Sequence, residues 1–340
     1  MKTIIIAEAG VNHNGDIELA KQLIDIAAEA GADYVKFQTF IAEKLVTKKA
    51  KKAQYQAANL NSSEESDQLE MLKKLELSVH DHEVLIQHCK KKKIKFLSTG
   101  FDNDSLDFLK RLGMDFFKIP SGEITNIHFL QKVGAYNGKV VLSSGMANET
   151  EVKQAIDVLI AAGTKKEDII VLHCTTDYPA KFAEVNLRAM LSMKSQLGVE
   201  VGYSDHTEGI EISIAAVALG AKVIEKHFTI DKTLPGPDHK ASLEPLELRA
   251  LVSGIRNVEL ALGNGIKIPS PSEIKNINVV RKSIHVNKQI KKGSVICETD
   301  LVMKRPFEGG ISPMNILDVI GRKIVRDLEA DHQIKKEDLE

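Results

Sequence analysis

Short β-branched or aromatic runs recur along this chain, most of them preceded by a stretch of helical periodicity. They fall at residues 3–7 (TIIIA), 34–37 (YVKF), 95–98 (KFLS), 116–119 (FFKI), 139–143 (KVVLS), 169–173 (IIVLH), 200–203 (EVGY) and 222–225 (KVIE). Between them, segments such as residues 17–30 (IELAKQLIDIAAEA) place apolar side chains at helical spacing. Gly31, Gly113, Gly163, Gly198 and Gly220 stand where helix C-caps belong. Near-continuous apolar strands alternating with amphipathic helices describe a parallel sheet buried on both faces. Eight such units predict an α/β fold, a (β/α)8 TIM barrel, over residues 1–265. An open doubly wound sheet is the alternative, but it needs a phosphate fingerprint that is missing here.

The pattern changes after the barrel. Residues 267–277 (KIPSPSEIKNI) carry Pro269 and Pro271 among polar positions, so residues 266–280 read as a linker. Residues 281–340 lack long amphipathic stretches and read as short strands and turns in a small second domain. A faint internal echo joins QIKK at 289–292 to QIKK at 333–336. Residues 42–67, polar and rich in lysine and glutamine, read as a loop with some helix lying over the barrel mouth. The lysine run at 90–93 reads as a solvated helix end, where cations complement the helix dipole.

Composition narrows the class. In 340 residues, 46 lysines and arginines balance 47 acidic residues, which offers no general attraction to nucleic acid or membrane. Cys89, Cys174 and Cys297 form no disulfide framework, and no signal-like or membrane-spanning apolar run occurs. A soluble, cytoplasmic protein of small-molecule chemistry is the expectation.

In a barrel the C-terminal strand ends carry the chemistry. Here those ends supply Glu8; Lys36 and Gln38; Ser98 and Thr99; Lys118, Ser121 and Glu123; Ser143 and Ser144; His173, Thr175 and Asp177; Ser204, Asp205 and His206; Glu225, Lys226 and His227. Serines there are commonly helix caps, and single histidines are commonly structural. His206 and His227, however, close adjacent strands, with Glu8 and Asp205 within reach, an arrangement suited to a first-row divalent metal. Lys36 and Lys118 sit among apolar residues and need either ionic partners or an anionic substrate. With Thr99, Ser121, Ser143 and Ser204 they form a candidate phosphate or carboxylate site. No nucleotide loop, zinc-protease or serine-hydrolase motif occurs.

The strand-end motifs AEAGVNHNG, VKFQTF, LSTGF, FKIPSGE, LSSGM, LHCTTDYP, GYSDHT, EKHFT and GPDH, with the later KRP, resemble the bacterial sialic acid (N-acetylneuraminate) synthase family. The resemblance covers nearly the whole chain in order. It implies a TIM barrel joined to a C-terminal antifreeze-like (SAF, β-clip) domain in a domain-swapped homodimer. It also implies condensation of phosphoenolpyruvate with an N-acetylmannosamine-type sugar to a nine-carbon α-keto acid and phosphate. By the same resemblance His206 and His227 hold the metal, manganese first and magnesium or cobalt next. Lys36, Thr99, Lys118, Ser121, Ser143, Thr176 and Ser204 then hold phosphoenolpyruvate, and Gln38, Tyr178 and Asp238 the sugar. Glu8 and Glu123 are the catalytic carboxylates, Glu123 also matching a sugar contact, and Arg305 of KRP reaches the acetamido group from the partner subunit. Thr176 stands where the family's sialic-acid members have asparagine. With Gly100 in place of proline, this leans toward the branch acting on 2,4-diacetamido-2,4,6-trideoxymannose, the legionaminic acid branch. Two rivals are a metal-dependent pyruvate aldolase-type barrel and a non-catalytic carbohydrate-binding protein.

Overall fold

The computed structural model describes residues 2–60 and 68–340, which divide into two compact units, Met1–Gly263 and Asn264–Glu340. The first begins with β1 (Ile4–Gly10), α1 (Ile17–Ala30) and β2 (Tyr34–Thr39), followed by the short helices α2 (Ala42–Leu45), α3 (Gln54–Asn59) and α4 (Gln68–Lys73). It continues through α5 (Val79–Lys92), β3 (Lys95–Gly100), α6 (Asn103–Leu112), β4 (Phe117–Ile119), α7 (Ile127–Ala135), β5 (Val140–Ser143) and α8 (Glu149–Ala162). The remaining elements are β6 (Ile169–Cys174), α9 (Ala189–Leu197), β7 (Glu200–Asp205), α10 (Glu211–Ala218), β8 (Val223–His227) and α11 (Pro245–Ala261). The strands are parallel and ordered β3-β2-β1-β8-β7-β6-β5-β4, with β3 and β4 side by side. The sheet is a nearly closed (β/α)8 barrel.

Local signals set the helix limits. The Asp16 side chain accepts from the Glu18 and Leu19 amides to start α1, and Gly31 ends it in the left-handed region. Ala20, Leu23, Ile24, Ala27 and Ala30 form its buried stripe. Ser78 and Asp81 make a capping box at the start of α5, and Lys90, Lys91 and Lys92 occupy its last turn.

The twofold alternation of strand side chains stacks the barrel interior in layers. Ile6, Tyr34, Leu97, Phe116, Val141, Leu172 and Val223 form an apolar cluster across the strands. Gly202 takes the β7 position in this layer, where a Cβ would strike the Val223 carbonyl and the Leu172 side chain. Two residues further along the same strands come Glu8, Lys36, Thr99, Lys118, Ser143, Cys174, Ser204 and Glu225. Above them, the segment between β2 and α5 covers the mouth through a small cluster of Val11, Phe40, Ala42, Leu69, Leu72 and Leu75. Asn59 Nδ2 ties it to the loop after β8 by donating to the Pro237 carbonyl at 2.6 Å. Residues 61–67 of the expected lid lie outside the described residues.

The second unit contains α12 (Pro271–Val280), β9 (Ser283–Val286) and β10 (Leu301–Lys304), the last two antiparallel. Part of the expected linker is therefore helical. Ser270 is its N-cap, Pro271 its first residue, and Glu273 closes a capping box, a helix-start signal that the two prolines masked. Ile284, Val286, Ile290, Ile296, Val319, Ile324, Leu328 and Ile334 make this unit's core. It repeats internally, in a register different from the QIKK echo. Ile290 and Leu328 exchange backbone hydrogen bonds of 2.9 and 2.8 Å. From that pair onward the halves correspond: Gly293 with Asp331, both at positive φ, and Ile296 with Ile334, both buried. Asp300 and Asp338 then accept at 2.9 Å from the amides of Cys297 and Lys335. The two QIKK runs occupy different positions of this repeat, so their likeness is accidental.

Replacing Gly202 by alanine overfills the apolar layer, and we expect a loss of about 1–3 kcal/mol, read from the midpoint of urea unfolding.

Candidate active site

Glu8, Lys36, Lys118 and Glu225 project from β1, β2, β4 and β8 onto the layer above the apolar floor, and all four are buried. Lys36 Nζ lies 2.7 Å from Glu8 Oε2 and 3.5 Å from Glu225 Oε2, and it donates to Thr99 Oγ1 at 2.7 Å. Lys118 Nζ lies 3.4 Å from Glu225 Oε1, which also accepts from Ser204 Oγ at 2.9 Å. The four groups do not share charge evenly. Burial pushes the Glu8 carboxyl up to about 7, against the pull of Lys36. Burial also acts on Glu225, but Lys118 and Lys36 together overcome it and hold it at about 2. Burial lowers both lysines; two carboxylates reverse that for Lys36, whereas Lys118 has chiefly Glu225 and is repelled by Lys36.

These residues line a cavity of about 540 Å³ at the barrel mouth. Gln38, Ser121, Glu123, Ser143, Thr176, Tyr178, Ser204, His206, His227 and Asp238 line it too. Two buried polar atoms here have no hydrogen-bond partner, Ser143 Oγ and His227 Nδ1, whereas Glu8 Oε2 and Glu225 Oε2 face only Lys36. Orphaned polar atoms are costly unless a ligand meets them, and both of these residues line the one cavity. Burial raises Asp238 to about 6 and also raises Glu123, which accepts from Asn126 Nδ2 at 2.7 Å. The lid and the β3 loop add Leu45, Val46, Met71 and Phe101, together with Gln56 and Gln68, to the lining.

The NeuB family pattern matches residues 23–290, and the SAF domain pattern matches residues 281–340. The chain is 55% identical to the N,N'-diacetyllegionaminic acid synthase of Campylobacter jejuni, over 98% of this chain and 99% of that one. It is 46% identical to the synthase of the same name from Legionella pneumophila, over 100% and 95%. Among solved structures, the sialic acid synthetase of Leptospira borgpetersenii in complex with citrate shares 37% identity and a TM-score of 0.70, covering 82% of this chain and 90% of that one. The chain belongs to the NeuB family.

In this NeuB-family barrel the two cavity histidines cluster with Tyr178, tilted or edge-on to one another. Ring centroids lie 5.6 Å apart for His206 and His227, and 4.0 Å apart for Tyr178 and His206. His206 Nδ1 donates to the Thr175 carbonyl at 2.6 Å, leaving Nε2 as its lone-pair nitrogen. His227 Nδ1 is buried without a partner. Among the described residues no three His, Cys, Asp or Glu side chains converge as a ligand set. Two imidazoles with lone-pair nitrogens are therefore what the described residues could offer a divalent metal here.

Asp205 is not available to such a site. Its Oδ1 accepts from the Thr207 amide and hydroxyl, and its Oδ2 from Ser213 Oγ and the buried Lys226 ammonium. It sits one residue beyond Ser204, so strand alternation turns it to the outside of the barrel. His173 likewise bonds the Val185 carbonyl at 2.6 Å rather than a carboxylate. Arg305 follows β10 in the second unit and is exposed. Two groups escaped the sequence reading. Glu225 was given no role although it bridges both lysines, and Cys174 lies 3.8 Å from both Ser121 Oγ and His206 Nδ1. Counting every second position back to the apolar layer identifies both.

Glu225→Gln leaves two buried ammonium groups with one carboxylate. A stability loss of about 3 kcal/mol at neutral pH is expected by urea unfolding, larger than for Glu123→Gln, whose carboxyl pairs with neither lysine.

Proposed function

We propose that the protein condenses phosphoenolpyruvate with an open-chain, unphosphorylated acetamido sugar of mannose configuration, giving a nine-carbon α-keto acid and phosphate. The observation that carries this reading is the single cavity lined by Lys36, Lys118, several hydroxyls (Ser143 Oγ without a partner) and two imidazoles. Lys36, Lys118, Thr99, Ser121, Ser143, Thr176 and Ser204 hold the phosphate and carboxylate of phosphoenolpyruvate. Gln38, Glu123, Tyr178 and Asp238 orient the sugar. A divalent metal on His206 and His227, manganese by preference, supplies Lewis acidity toward a carbonyl oxygen. The phosphoenolpyruvate methylene attacks the sugar aldehyde carbon, water adds at C2, and the tetrahedral intermediate expels phosphate. Glu8, with a pKa near neutrality, delivers a proton to the former aldehyde oxygen, and Glu123 takes one from the attacking water. Glu225 stays ionised and keeps both lysines in place.

The distribution of charge supports an acceptor without a second phosphate. Among the described residues of one chain the cavity's cations are Lys36 and Lys118, both on the floor, and the one cation proposed below to reach the mouth from the partner, Arg305, is assigned to the acetamido carbonyl. Residues 61–67 read NSSEESD and add no cation. A deoxy or acetamido terminus suits the apolar side chains of the lid better than an anion, which favours 2,4-diacetamido-2,4,6-trideoxymannose, in keeping with the names of the two relatives. A pyruvate aldolase would release no phosphate. With phosphoenolpyruvate and a mixture of N-acetylmannosamine, its 6-phosphate and the diacetamido sugar, mass spectrometry should find the diacetamido product dominant. A dominant 6-phosphate product refutes the reading. Chelation should abolish phosphate release and manganese restore it, but not in His206→Ala or His227→Ala, whose circular dichroism should be unchanged.

The functional unit is a homodimer in which Arg305 of each C-terminal domain enters the partner's barrel mouth. Supporting this, α12 buries none of its residues and leaves Ile274, Val279 and Val280 exposed. A guanidinium fixes the orientation of an amide carbonyl through its planar fork. The described residues contain no helix long and apolar enough to cross a membrane, and the three cysteines are free, which suits a cytoplasmic site of synthesis. Mixed dimers of Arg305→Ala and His206→Ala chains should recover about a quarter of wild-type turnover, since half the dimers are mixed and each regains one complete site. No recovery under verified subunit exchange overturns the swapped arrangement.

A further inference from the structure

The turn after β10 is held in place by one side chain from a distant part of its unit. Gln333 Nε2 lies 2.7 Å from the Phe307 carbonyl, 3.0 Å from the Pro306 carbonyl and 2.7 Å from Ser283 Oγ. Ser283, fully buried, donates in turn to the Pro306 carbonyl at 2.7 Å. On the other side, the Phe307 amide donates to the Asn278 carbonyl at 2.8 Å. Both carbonyls that follow Arg305 in the chain are thereby fixed, and the arginine's own backbone has little freedom left.

Two further observations set this clamp apart from ordinary packing. Gly310 makes room for it: a Cβ there would lie 2.7 Å from Gln333 Cδ and Nε2 and 2.8 Å from Cγ. The internal repeat supplies a control within the same unit. The position corresponding to Gln333 in the other half is Val295, which is 51% exposed, while the neighbours Ile296 and Ile334 are equally buried. The fold is therefore built in one half without any amide at this point. The backbone carrying Gln333 is anchored by its bridge to His285 and by buried Ile334, so the side chain starts from a fixed base.

We propose that Gln333 is a positioning residue for Arg305, holding the Arg305–Phe307 turn so that the guanidinium is presented in one geometry to the acceptor sugar. Gly310 is the space that admits it. This rests on the reading above that Arg305 contacts the acceptor. The amide donates to carbonyls, so a carboxylate of the same shape fails in its place, meeting two acceptors with a third.

The test uses the full-length enzyme with manganese, phosphoenolpyruvate and 2,4-diacetamido-2,4,6-trideoxymannose, with N-acetylmannosamine as second acceptor. Gln333→Ala and the isosteric Gln333→Glu should each raise the acceptor KM about tenfold, the effect of one lost buried hydrogen bond. The phosphoenolpyruvate KM and kcat should stay within about twofold, because neither the floor nor the metal ligands are touched. Gly310→Ala should act like Gln333→Ala, and the double variant should be no worse than either alone. Adding Gln333→Ala to Arg305→Ala should cost nothing further. If Arg305→Ala raises the acceptor KM while both Gln333 variants leave it unchanged, or if their losses add, the positioning role is overturned and the reading of Arg305 survives. If Arg305→Ala itself leaves the acceptor KM unchanged, both fall. Circular dichroism and the melting temperature accompany each variant, and a raised KM with an unchanged melt separates positioning from loss of structure.

Discussion

Everything at the barrel mouth depends on how two lysines are kept charged on an apolar floor. An ammonium that loses water is expensive, and Ile6, Leu97, Val141 and Leu172 lie one layer below. Glu225 meets both lysines, and Ser204 fixes its orientation. Glu8 meets Lys36 alone and lies deep enough to stand near its protonation point. The result is a floor with one permanent anion and one adjustable anion. Burial and Lys36 pull the Glu8 carboxyl in opposite directions, so its charge depends on that one contact.

The barrel was legible because its strands alternate so regularly with helices, and its polar rim because a TIM barrel gathers strand-end side chains at one mouth. The sequence alone is less informative about which rim residues face inward. Asp205 and Ser204 are adjacent and equally polar, yet one braces Lys226 outside the sheet and the other meets Glu225 inside it. The difference follows from counting back along β7 to Gly202, a count that requires the strand's register first. Glu225 was overlooked for a related reason: a lone glutamate in KVIEKH gives no sign that two lysines from other strands will meet on it. The apolar part of the lid lining was equally hidden, because Leu45, Val46 and Met71 are scattered among lysines and glutamines and only their shared cavity groups them.

The small unit was harder to read. Its elements are short turns and isolated bridges, which leave weak periodicity, and its two prolines suggested a break where Ser270, Pro271 and Glu273 begin a helix. The repeated tetrapeptide lies in a different register from the structural repeat. What repeats is a set of demands on single positions: a positive φ, a buried isoleucine, a capping aspartate. Glycine and aspartate both meet the first demand, so similar letters are a poor guide to the repeat.

That repeat has a consequence for how such a protein can change. Where two halves solve the same folding problem, a position needed in neither is free for other work, and residues 295 and 333 have taken different paths from a common geometry. On the proposed role of Arg305, a turn and its brace can change in a unit with its own core, while the charged floor and the sugar-facing side chains of the barrel stay as they are.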